Sequence, residues 1–374
     1  MSRTLLITND FPPRPGGIQS FVHNLALRQP SGSVVVYAST WGDAAKFDAD
    51  QPFEVVRERT GMLLPTPVVA RRAARLAREY DCDTVLFGAA APLGLLAAGL
   101  RRRAGIRRAV ALTHGHEVGW AALPGARSVL RRIGRGLDVT TYLGEYTRVR
   151  LARALHGVTD LHRLAPGVDV ATYHPDVDGG PVRVRLGLTG RPVVVCVSRL
   201  VPRKGQDVLI RALPEIRRRV PDAALLVVGG GPYRGTLEQL ARQHGVARDV
   251  VFTGSVPAAE LPAHYAAGDV YAMPCRTRNR GLDVEGLGIV YLEASATGLP
   301  VVAGDSGGAP DAVRAGETGF VVRGDEVAQV ADRVATLLAD RDLARRFGAA
   351  GRAWVEREWR WETQAQRLAA LLAG

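Results

Sequence analysis

The chain has few of the residues that build disulfide frameworks or metal sites. Only three of its 374 residues are cysteines, Cys82, Cys196 and Cys275, and they stand far apart. Disulfide-stapled folds use cysteine densely, and zinc sites place cysteines in close pairs. The sequence therefore argues against a disulfide scaffold and against a cysteine metal site, and it favours three reduced, mostly buried thiols.

Long apolar segments are also missing. The longest uncharged run, Thr84–Leu100, has 17 residues but contains three glycines and a proline. It therefore predicts a strand, a turn and a buried helix rather than a membrane span. The first residues, MSRTLLITND, enter a strand-like pattern without a charged and apolar leader. We expect a cytoplasmic protein without a signal peptide.

Aromatic residues and lysines are scarce, whereas arginine is abundant. Aromatic side chains make up 6% of the chain, and Lys46 and Lys204 are its only lysines, yet the formal net charge is +12. Nucleic-acid-binding proteins combine basic patches with a recognised motif, and none accompanies these arginines. We expect no nucleic-acid partner, and nucleic-acid binding is kept only as a remote alternative that the charge suggests.

The positive charge is concentrated in the first half of the chain. Residues 1–168 carry 23 Arg and Lys against 13 Asp and Glu, whereas residues 169–374 carry 26 against 24. A basic half suggests a polyanionic partner, either nucleic acid or an anionic membrane surface. Two predicted helices, at residues 67–80 and 126–137, favour the membrane because arginines share one face of each: Arg71, Arg75 and Arg78, then Arg127, Arg131 and Arg135. Solvated helix faces are the alternative.

Short β-branched runs alternate with helical patterns along the whole chain. One series ends near Gly167 and a second begins near Val193. The segment between them, Val168–Pro192, is rich in turn residues and predicts a linker. The length exceeds one ordinary core. We therefore predict an α/β protein of two domains, each a mainly parallel sheet covered by helices, with ligands at the carboxyl ends of the strands.

The segment EGLGIVYLE, Glu285–Glu293, predicts a nucleotide-sugar site. It places two carboxylates eight positions apart across a glycine-containing turn and the helix that follows. Gly286 and Gly288 let a ligand approach the backbone, and the free N–H groups at the helix start suit phosphate oxygens. Glu285 is then placed to meet a sugar and Glu293 a ribose diol. The alternative is an acidic helix start and a solvated helical glutamate.

Two further loops of the second series extend this interpretation. In VSRLVPRKGQD, Arg199 and Lys204 follow the first strand next to a glycine. Such a pair can bracket a diphosphate, with arginine as a fork and lysine as a point charge. A solvated loop is the alternative. In GSVPAAEL, after the third strand, backbone groups around Ser255 and Val256 are expected to contact a base.

Two loops of the first series carry candidate polar contacts. In NDFPPRPGGIQS, Gly16 and Gly17 open an amphipathic helix whose N–H groups suit a phosphate or a sugar, or they form a plain tight turn. In THGHE, His114, His116 and Glu117 follow the fifth strand. A metal site there has no third ligand in view, so these side chains favour hydrogen bonding to a substrate.

The order GGI, strand-end His, SRL with RKG, GSV and the glutamate pair resembles the retaining GT-B glycosyltransferases of family 4. The resemblance covers essentially all 374 residues. It implies two Rossmann-like domains with parallel sheets facing across a cleft: residues 1–168 for the acceptor and residues 169–374 for the nucleotide sugar. It also implies that the helix at 361–373 packs back on the first domain. The implied reaction is hexosyl transfer that needs neither a metal nor a protein nucleophile.

The resemblance assigns roles to the motif residues. It implies that the catalytic groups are His114, Glu285, Arg199 and Lys204. It implies that the donor contacts Gly16, Gly17, Arg199, Lys204, Ser255, Val256, Glu285, Gly286, Leu287, Gly288, Ile289 and Glu293. It implies that the acceptor contacts Asp10, Gln19, His116, Glu117 and Arg278.

Three segments, NDFPPRPGGIQSF, LTHGHEVGW and PCRTRNRGLDVEGLG, are similar to those of one actinobacterial subgroup. Its members transfer mannose from GDP-mannose to phosphatidylinositol monomannoside. The similarity implies GDP-mannose as donor, no cofactor, and a peripheral enzyme on the inner, anionic face of the plasma membrane. A soluble member of the family, using another nucleotide sugar and a polyol or polysaccharide acceptor, is the alternative. The oligomeric state is left open.

Overall fold

The structure, a computed structural model, describes residues 3–374 and divides them into two compact units. The first contains the residues up to Gly167 together with Trp361–Gly374, and the second is Val168–Arg360. None of the helices within residues 3–374 has the length and apolarity that a bilayer crossing demands.

A parallel sheet of seven strands, counted over the described residues, forms the centre of the first unit. Its order is β3-β2-β1-β4-β5-β6-β7. The strands are β1 (Arg3–Thr8), β2 (Val34–Ser39), β3 (Glu54–Glu58), β4 (Cys82–Phe87), β5 (Arg108–Ala111), β6 (Val139–Tyr142) and β7 (Asp160–Arg163). The helices of this part are α1 (Gly17–Leu27), α2 (Ala44–Ala49), α3 (Pro67–Glu79), α4 (Ala97–Ala104), α5 (Glu117–Ala122), α6 (Pro124–Gly134) and α7 (Glu145–Leu155).

The second unit repeats this plan with six parallel strands among the described residues, in the order β10-β9-β8-β11-β12-β13. The strands are β8 (Val193–Val197), β9 (Ala224–Val228), β10 (Val250–Gly254), β11 (Val270–Met273), β12 (Val301–Gly304) and β13 (Gly319–Val322). The helices are α8 (Gly180–Arg185), α9 (Gln206–Arg219), α10 (Arg234–Gln243), α11 (Leu261–Ala266), α12 (Ile289–Ala296), α13 (Val327–Ala339) and α14 (Arg341–Glu358).

The last helix, α15 (Trp361–Ala373), belongs to the first unit. Its Leu368 is fully buried in an apolar cluster with Leu6 of β1, and Leu371 O accepts a hydrogen bond of 2.8 Å from Arg108 Nε. Because alternate side chains of a strand point to opposite faces, Leu5 joins a second cluster on the other face. Both faces of the sheet are covered, so the middle residues of β1 and β2 are apolar.

The prediction of two parallel α/β domains is confirmed, but two strands were not predicted and one segment was misread. The strands β3 and β7 lie at the sheet edges, and their sequences, EVVRE and DLHR, lack a long apolar run. Edge strands carry charge because only one neighbour pairs with them. The segment Val168–Pro192, predicted to be a linker, lies in the second unit and contains α8.

Candidate functional site

Many of the candidate residues follow strands that flank the switch point of a sheet, among them Gly16 after β1, Lys204 after β8 and Glu285 after β11. The strand order reverses between β1 and β4 in one sheet and between β8 and β11 in the other. At such a point the connections leave in opposite directions, and a crevice opens outside the carboxyl ends of the strands. This geometry brings the loops after β8 and β11 together in the second unit.

The loop after β8 is held against the end of β11 by a glycine. Residues Pro202–Lys204 form a 3₁₀ turn that ends at Gly205, which has φ of 78°. A Cβ atom on Gly205 would lie 2.0 Å from Pro274 O, so any side chain would push the loop off the strand end. The close approach fixes Lys204 at the switch point, where its side chain is 11% exposed.

Lys204 and Glu285, which the sequence predicted to share a site, are in direct contact. Lys204 Nζ lies 2.6 Å from Glu285 Oε2, and Arg203 Nη1 lies 2.8 Å from the same oxygen. The Glu285 side chain is 8% exposed, and a buried carboxylate needs such compensation. Arg203 was missed because nothing in the sequence separates it from a solvated arginine beside Lys204.

The backbone around Glu285 leads directly into α12. Glu285 N donates to Ser306 Oγ at 3.2 Å, and Glu285 O accepts from Gly308 N at 2.9 Å. Gly288, with φ of 80°, turns the chain into the helix that begins at Ile289. The first N–H groups of an α-helix lack intrahelical partners and carry partial positive charge. The turn at Gly286–Ile289 therefore presents amides suited to an anion.

Glu293 lies farther along α12, among tyrosines. Tyr265 Oη donates a hydrogen bond of 2.7 Å to Glu293 Oε2, and the Tyr173 ring meets Tyr265 edge-on at 5.6 Å. Burial raises the pKa of Glu293, and the hydrogen bond from Tyr265 acts in the opposite direction. The carboxylate is thus fixed and partly desolvated, as a group that accepts hydrogen bonds from a diol should be. Tyr265 carried no recognisable signal in the sequence.

Arg199, Ser255 and Val256 line one cavity at the ends of the neighbouring strands. Its volume of about 450 Å³ is within the range of small-molecule sites. Gly229 and Gly230 form part of its wall. The Arg199 side chain is exposed and forms no ion pair with any of residues 3–374. Arg199 thus makes no ion pair with Glu285, whereas Lys204 does. That Arg199 and Lys204 together bracket a diphosphate stays a prediction.

In the first unit, the loop after β1 is tied to the start of α1. Gln19 Nε2 donates to Asp10 Oδ1 at 2.7 Å. Gly16 precedes the helix with φ of 154°, and a Cβ atom there would lie 2.1 Å from Gln19 Oε1. Gly17, in contrast, has open space around it. Asp10, Gln19 and Gly16 form one arrangement, and of the two glycines only Gly16 has a positive φ, which other residues rarely adopt.

The THGHE segment folds into a compact network after β5. The Glu117 side chain is fully buried: Oε2 accepts from His114 N at 3.0 Å, and Oε1 lies 3.1 Å from His116 Nε2. His114 Nε2 donates to Gly88 O, at the end of β4, at 2.5 Å. The structure thus brings together the two histidines and the glutamate that the sequence grouped.

The two histidines have opposite protonation preferences. Burial lowers the pKa of His114, against the pull of the Glu117 carboxylate. Burial also disfavours the His116–Glu117 ion pair, but the hydrogen bond and opposite charges outweigh it, raising the pKa of His116 and lowering that of Glu117. Because Gly88 O only accepts, neutral His114 carries its proton on Nε2. Its Nδ1 is then a hydrogen-bond acceptor.

Replacing Glu117 with glutamine is expected to destabilise the first unit in a pH-dependent way. The stabilisation that ionised Glu117 provides is lost as the pH falls below 4.5, the usual pKa of a glutamate. The stabilisation that protonated His116 provides is lost as the pH rises above 6.5, the usual pKa of a histidine. We expect Glu117→Gln to cost about 2 kcal/mol near pH ~6 and less near pH ~8.5, because His116 is then neutral. Urea unfolding at both pH values measures this difference.

An exposed glutamate provides the control for that measurement. Glu145 pairs with Arg148 on the surface of α7, so Glu145→Gln should leave unfolding unchanged. An equal loss for Glu117→Gln at the two pH values would show that His116 and Glu117 are not coupled through charge.

Arg278 begins a short hairpin before Glu285. Its N donates to Asp283 O at 2.9 Å, and Asp283 N donates back to Arg278 O at 3.3 Å. Asn279 and Arg280 adopt left-handed backbone angles at the turn, with φ of 49° and 55°. Leu282 at the tip is 86% exposed. We call this segment, residues 278–283, the 278–283 hairpin.

Within residues 3–374 there is no group of three or more His, Cys, Asp or Glu side chains arranged to hold a metal ion. The two histidines of THGHE contact Glu117 and backbone atoms instead.

Two family descriptions match successive parts of the chain. Residues 15–172 match "Glycosyltransferase Family 4", and residues 183–354 match "Glycosyl transferases group 1". Relatives then cover the whole chain. This chain is 57% identical over 375 residues to the GDP-mannose-dependent alpha-(1-6)-phosphatidylinositol monomannoside mannosyltransferase of Mycolicibacterium smegmatis. The match covers 99% of this chain and 98% of that protein. The chain is a family 4 glycosyltransferase.

A second relative in the family extends the match to another genus. The GDP-mannose-dependent monoacylated alpha-(1-6)-phosphatidylinositol monomannoside mannosyltransferase of Corynebacterium glutamicum is 47% identical over 375 residues, covering 99% of this chain and 97% of that protein. The predicted family is confirmed.

Solved structures agree with the fold of this glycosyltransferase. The crystal structure of Anabaena Alr3699/HepE in complex with UDP superimposes with a TM-score of 0.82 at 22% identity, covering 99% of each chain. Sucrose-phosphate synthase from Thermosynechococcus elongatus gives 0.77 at 21% identity, covering 99% of this chain and 98% of that one. The GT-B fold predicted from the motifs is confirmed.

Proposed function

We propose that the protein transfers mannose from GDP-mannose to phosphatidylinositol monomannoside, with retention of anomeric configuration, at the inner face of the plasma membrane. The observation that carries this proposal is the 57% identity, over nearly the full length of both chains, to an enzyme named for that donor and acceptor. The Lys204–Glu285 contact at the switch point of the second unit supplies chemistry suited to the donor.

The second unit is proposed to bind the donor. Breaking the anomeric bond puts negative charge on the departing diphosphate, and fixed cations and amides stabilise that charge without reorganising. Lys204, Arg199 and the amides of Gly286–Ile289 are suited to this role, since each presents a donor at the carboxyl ends of the strands. Glu285 accepts hydrogen bonds from the sugar hydroxyls, and Glu293 accepts them from the ribose diol.

The base is proposed to occupy the cavity lined by Ser255 and Val256. A volume of about 450 Å³ accommodates a nucleoside, and the glycines in the wall leave backbone atoms within reach of it. Arg199 lines the same cavity, so it is placed to meet the phosphate nearer the ribose, while Lys204 meets the phosphate nearer the sugar.

The first unit is proposed to bind the acceptor. A polyol is recognised by carboxylates and amides held in fixed orientation, and Asp10, Gln19 and the His116–Glu117 pair have this character. Neutral His114 presents Nδ1 as an acceptor for a sugar hydroxyl near the reacting carbon. Gly16 and Gly17 are proposed to approach the donor, and Arg278 of the hairpin to contact the acceptor. No protein nucleophile is assigned, and the departing phosphate oxygen takes the acceptor proton.

A basic, partly apolar surface on the first unit is proposed to contact the membrane. Met62 and Val68, near the start of α3, are 58% and 61% exposed, and Arg71, Arg75 and Arg78 follow on the exposed face of that helix. Beside them lies a groove of about 340 Å³ with an apolar floor, lined by Arg102, Arg103 and Arg132. None of these six arginines forms an ion pair within residues 3–374. This charge and apolarity suit anionic lipid.

The second helix predicted to face the membrane is different. On α6, Arg127 Nε donates to Ala121 O at 2.7 Å, and Arg131 Nη1 donates to Ala154 O at 3.2 Å. Both side chains are half-buried and satisfy carbonyls of neighbouring helices, whereas Arg135, just after α6, is exposed. On α3, Arg78 likewise donates to Arg103 O at 2.6 Å, but Arg71 and Arg75 are exposed without such a bond within residues 3–374. The membrane proposal rests on α3 and on the adjoining groove.

The variant with Arg71→Gln and Arg75→Gln is expected to bind anionic vesicles roughly 30-fold more weakly, because each basic residue near such a surface contributes about 1 kcal/mol. Vesicle sedimentation with phosphatidylinositol-containing and neutral lipids measures the partition. Arg345→Gln with Arg346→Gln, two exposed arginines of α14, is the matched control. Equal binding by the two variants would remove α3 from the membrane surface.

The proposed function is tested by transfer with purified protein in the presence of EDTA. GDP-mannose and UDP-glucose are offered with phosphatidylinositol monomannoside in anionic vesicles and, separately, with free inositol. Mannose on the lipid alone supports the proposal. Transfer from UDP-glucose, or only to free inositol, would overturn the assigned substrates and favour the soluble alternative. Loss of transfer with EDTA would contradict a metal-independent reaction.

A further inference from the structure

Arg203 links the sugar-binding carboxylate to the hairpin that precedes it. Its guanidinium reaches two acids: Nη1 lies 2.8 Å from Glu285 Oε2, and Nε lies 3.0 Å from Asp283 Oδ1. Its backbone takes part as well, since Arg203 O accepts from Arg276 N at 2.8 Å. Arg203 is therefore joined to both ends of the segment that leads from β11 to Glu285.

The 278–283 hairpin is tied to the donor site through Asp283. The backbone of Asp283 pairs with Arg278, and its carboxylate binds Arg203. At the other end of the segment, Arg276 Nη2 lies 3.0 Å from Asp207 Oδ2 in the first turn of α9. The hairpin thus has two anchors, and the one nearer the sugar site is Arg203.

Donor binding places conflicting demands on Lys204. In the structure, Lys204 and Arg203 both bind Oε2 of Glu285. A diphosphate competes for the Lys204 ammonium, because its charge exceeds that of one carboxylate. If Lys204 turns to the diphosphate, Glu285 keeps its charge only if another cation remains beside it, since an isolated buried carboxylate takes up a proton instead.

Arg203 is the cation that can remain. Among residues 3–374, Glu285 forms ion pairs with Lys204 and Arg203 alone. Cys275, Tyr271 and Tyr291 lie within electrostatic reach of Glu285, and burial raises the pKa of each, so all three stay neutral. Asp283 adds negative charge on the far side of the guanidinium. Arg203 therefore balances Glu285 independently of Lys204, and its planar fork holds Glu285 and Asp283 at once.

We propose that Arg203 is a positioning residue that keeps Glu285 ionised and oriented toward the sugar when Lys204 engages the diphosphate, and that it couples this carboxylate to the 278–283 hairpin. The inference rests on the proposed function for the identity of the donor. It assigns to Arg203 no contact with the reacting atoms. A first consequence is that loss of Arg203 changes the charge of Glu285 when the nucleotide binds. A second is that release of the hairpin weakens acceptor binding, because Arg278 of the hairpin is proposed to contact the acceptor.

The first consequence is tested by the protons taken up when GDP binds. Calorimetry in two buffers of different ionisation enthalpy, near pH ~6, measures this number. For the natural sequence we expect only the protons that the terminal phosphate of GDP itself exchanges near this pH, because Arg203 retains the Glu285 charge. For Arg203→Gln we expect nearly one more proton to be taken up per GDP than by the natural sequence, because Lys204 leaves Glu285 without a cation. Arg203→Lys keeps a charge beside Glu285 and should restore the natural value.

The second consequence is tested by steady-state transfer. Arg203→Gln is expected to lower kcat about ten-fold, with little change in the KM for GDP-mannose and with the acid limb of the pH profile moved upward. Asp283→Asn retains the Arg203–Glu285 contact but releases the hairpin, so it should raise the KM for the lipid acceptor alone. Arg219→Gln is the matched control, because Arg219 pairs with Asp332 elsewhere in the second unit.

The outcomes separate this inference from the proposed function. GDP binding without mannose transfer by the natural sequence would overturn the proposed function. The number of protons taken up on GDP binding would still test whether Arg203 keeps Glu285 ionised. An unchanged proton count and pH profile in Arg203→Gln, even with reduced stability, would overturn the positioning role. Failure of the natural sequence to bind GDP would overturn both.

Discussion

Lys204→Ala is expected to lower kcat/KM for mannose transfer by roughly 10³-fold, the largest single loss we predict. Removing one fixed donor from a site of developing negative charge costs about 10²- to 10³-fold, and a cation on a transferring phosphate group costs more. Lys204 is buried at the switch point, where Gly205 lets the loop approach Pro274 O closely. Neither neighbouring arginine is expected to replace it: Arg203 already binds two acids, and Arg199, which lines the cavity beside Ser255, is proposed to meet the other phosphate.

The sequence offers an exact match for the control. Its one other lysine, Lys46, is exposed on α2, so Lys46→Ala should transfer mannose at the natural rate. Initial rates with both variants, after circular dichroism has shown that both are folded, measure the difference. A Lys204→Ala enzyme with rates close to the Lys46→Ala enzyme would remove the diphosphate role from Lys204.

Glu285→Gln is expected to separate nucleotide binding from transfer. Loss of the charge removes the competitor for Lys204, so GDP should bind as tightly as before or more tightly. Transfer should fall about 10²-fold, because a neutral amide no longer orients the sugar or balances charge near the anomeric carbon. Titration calorimetry with GDP and steady-state kinetics with GDP-mannose measure the two quantities independently.

An exposed glutamate of the same unit controls for general loss of charge. Glu317 lies on the surface before β13, and Glu317→Gln should change neither quantity. Weaker GDP binding together with retained transfer in Glu285→Gln would contradict the assignment, since it would place Glu285 on the nucleotide rather than on the sugar.

Much of the fold was predictable because parallel strands buried on both faces are apolar without interruption. The run Val193–Val197 and its neighbours Ala224–Val228 and Val270–Met273 are strands in the structure, and their sequences allow little else. The edge strand β7 could not be predicted from an apolar run, because two of its four residues are charged. Its pairing with β6 depends on the position of a neighbour, which local composition does not encode.

The candidate site was predictable where motif residues beside glycine turns bring their side chains into contact. Lys204 and Glu285 lie 81 positions apart and are joined at 2.6 Å, and both stand beside glycines that mark a close turn. Arg203 and Tyr265 escaped because their partners are decided by tertiary contacts. Arg199, four positions before Arg203, lines the cavity beside Ser255 and Val256, and its joint role with Lys204 on a diphosphate stays a prediction.

The return of α15 to the first unit has a consequence for the order in which the chain is completed. Leu368 belongs to the same apolar cluster as Leu6 on one face of the first sheet. Leu6 is among the first residues to be synthesised and Leu368 is among the last. The first sheet must therefore wait, with one part of its apolar face uncovered, while the entire second unit is made. Neither half of the gene encodes a finished domain, so a split after Gly167 would separate a sheet from its own last helix.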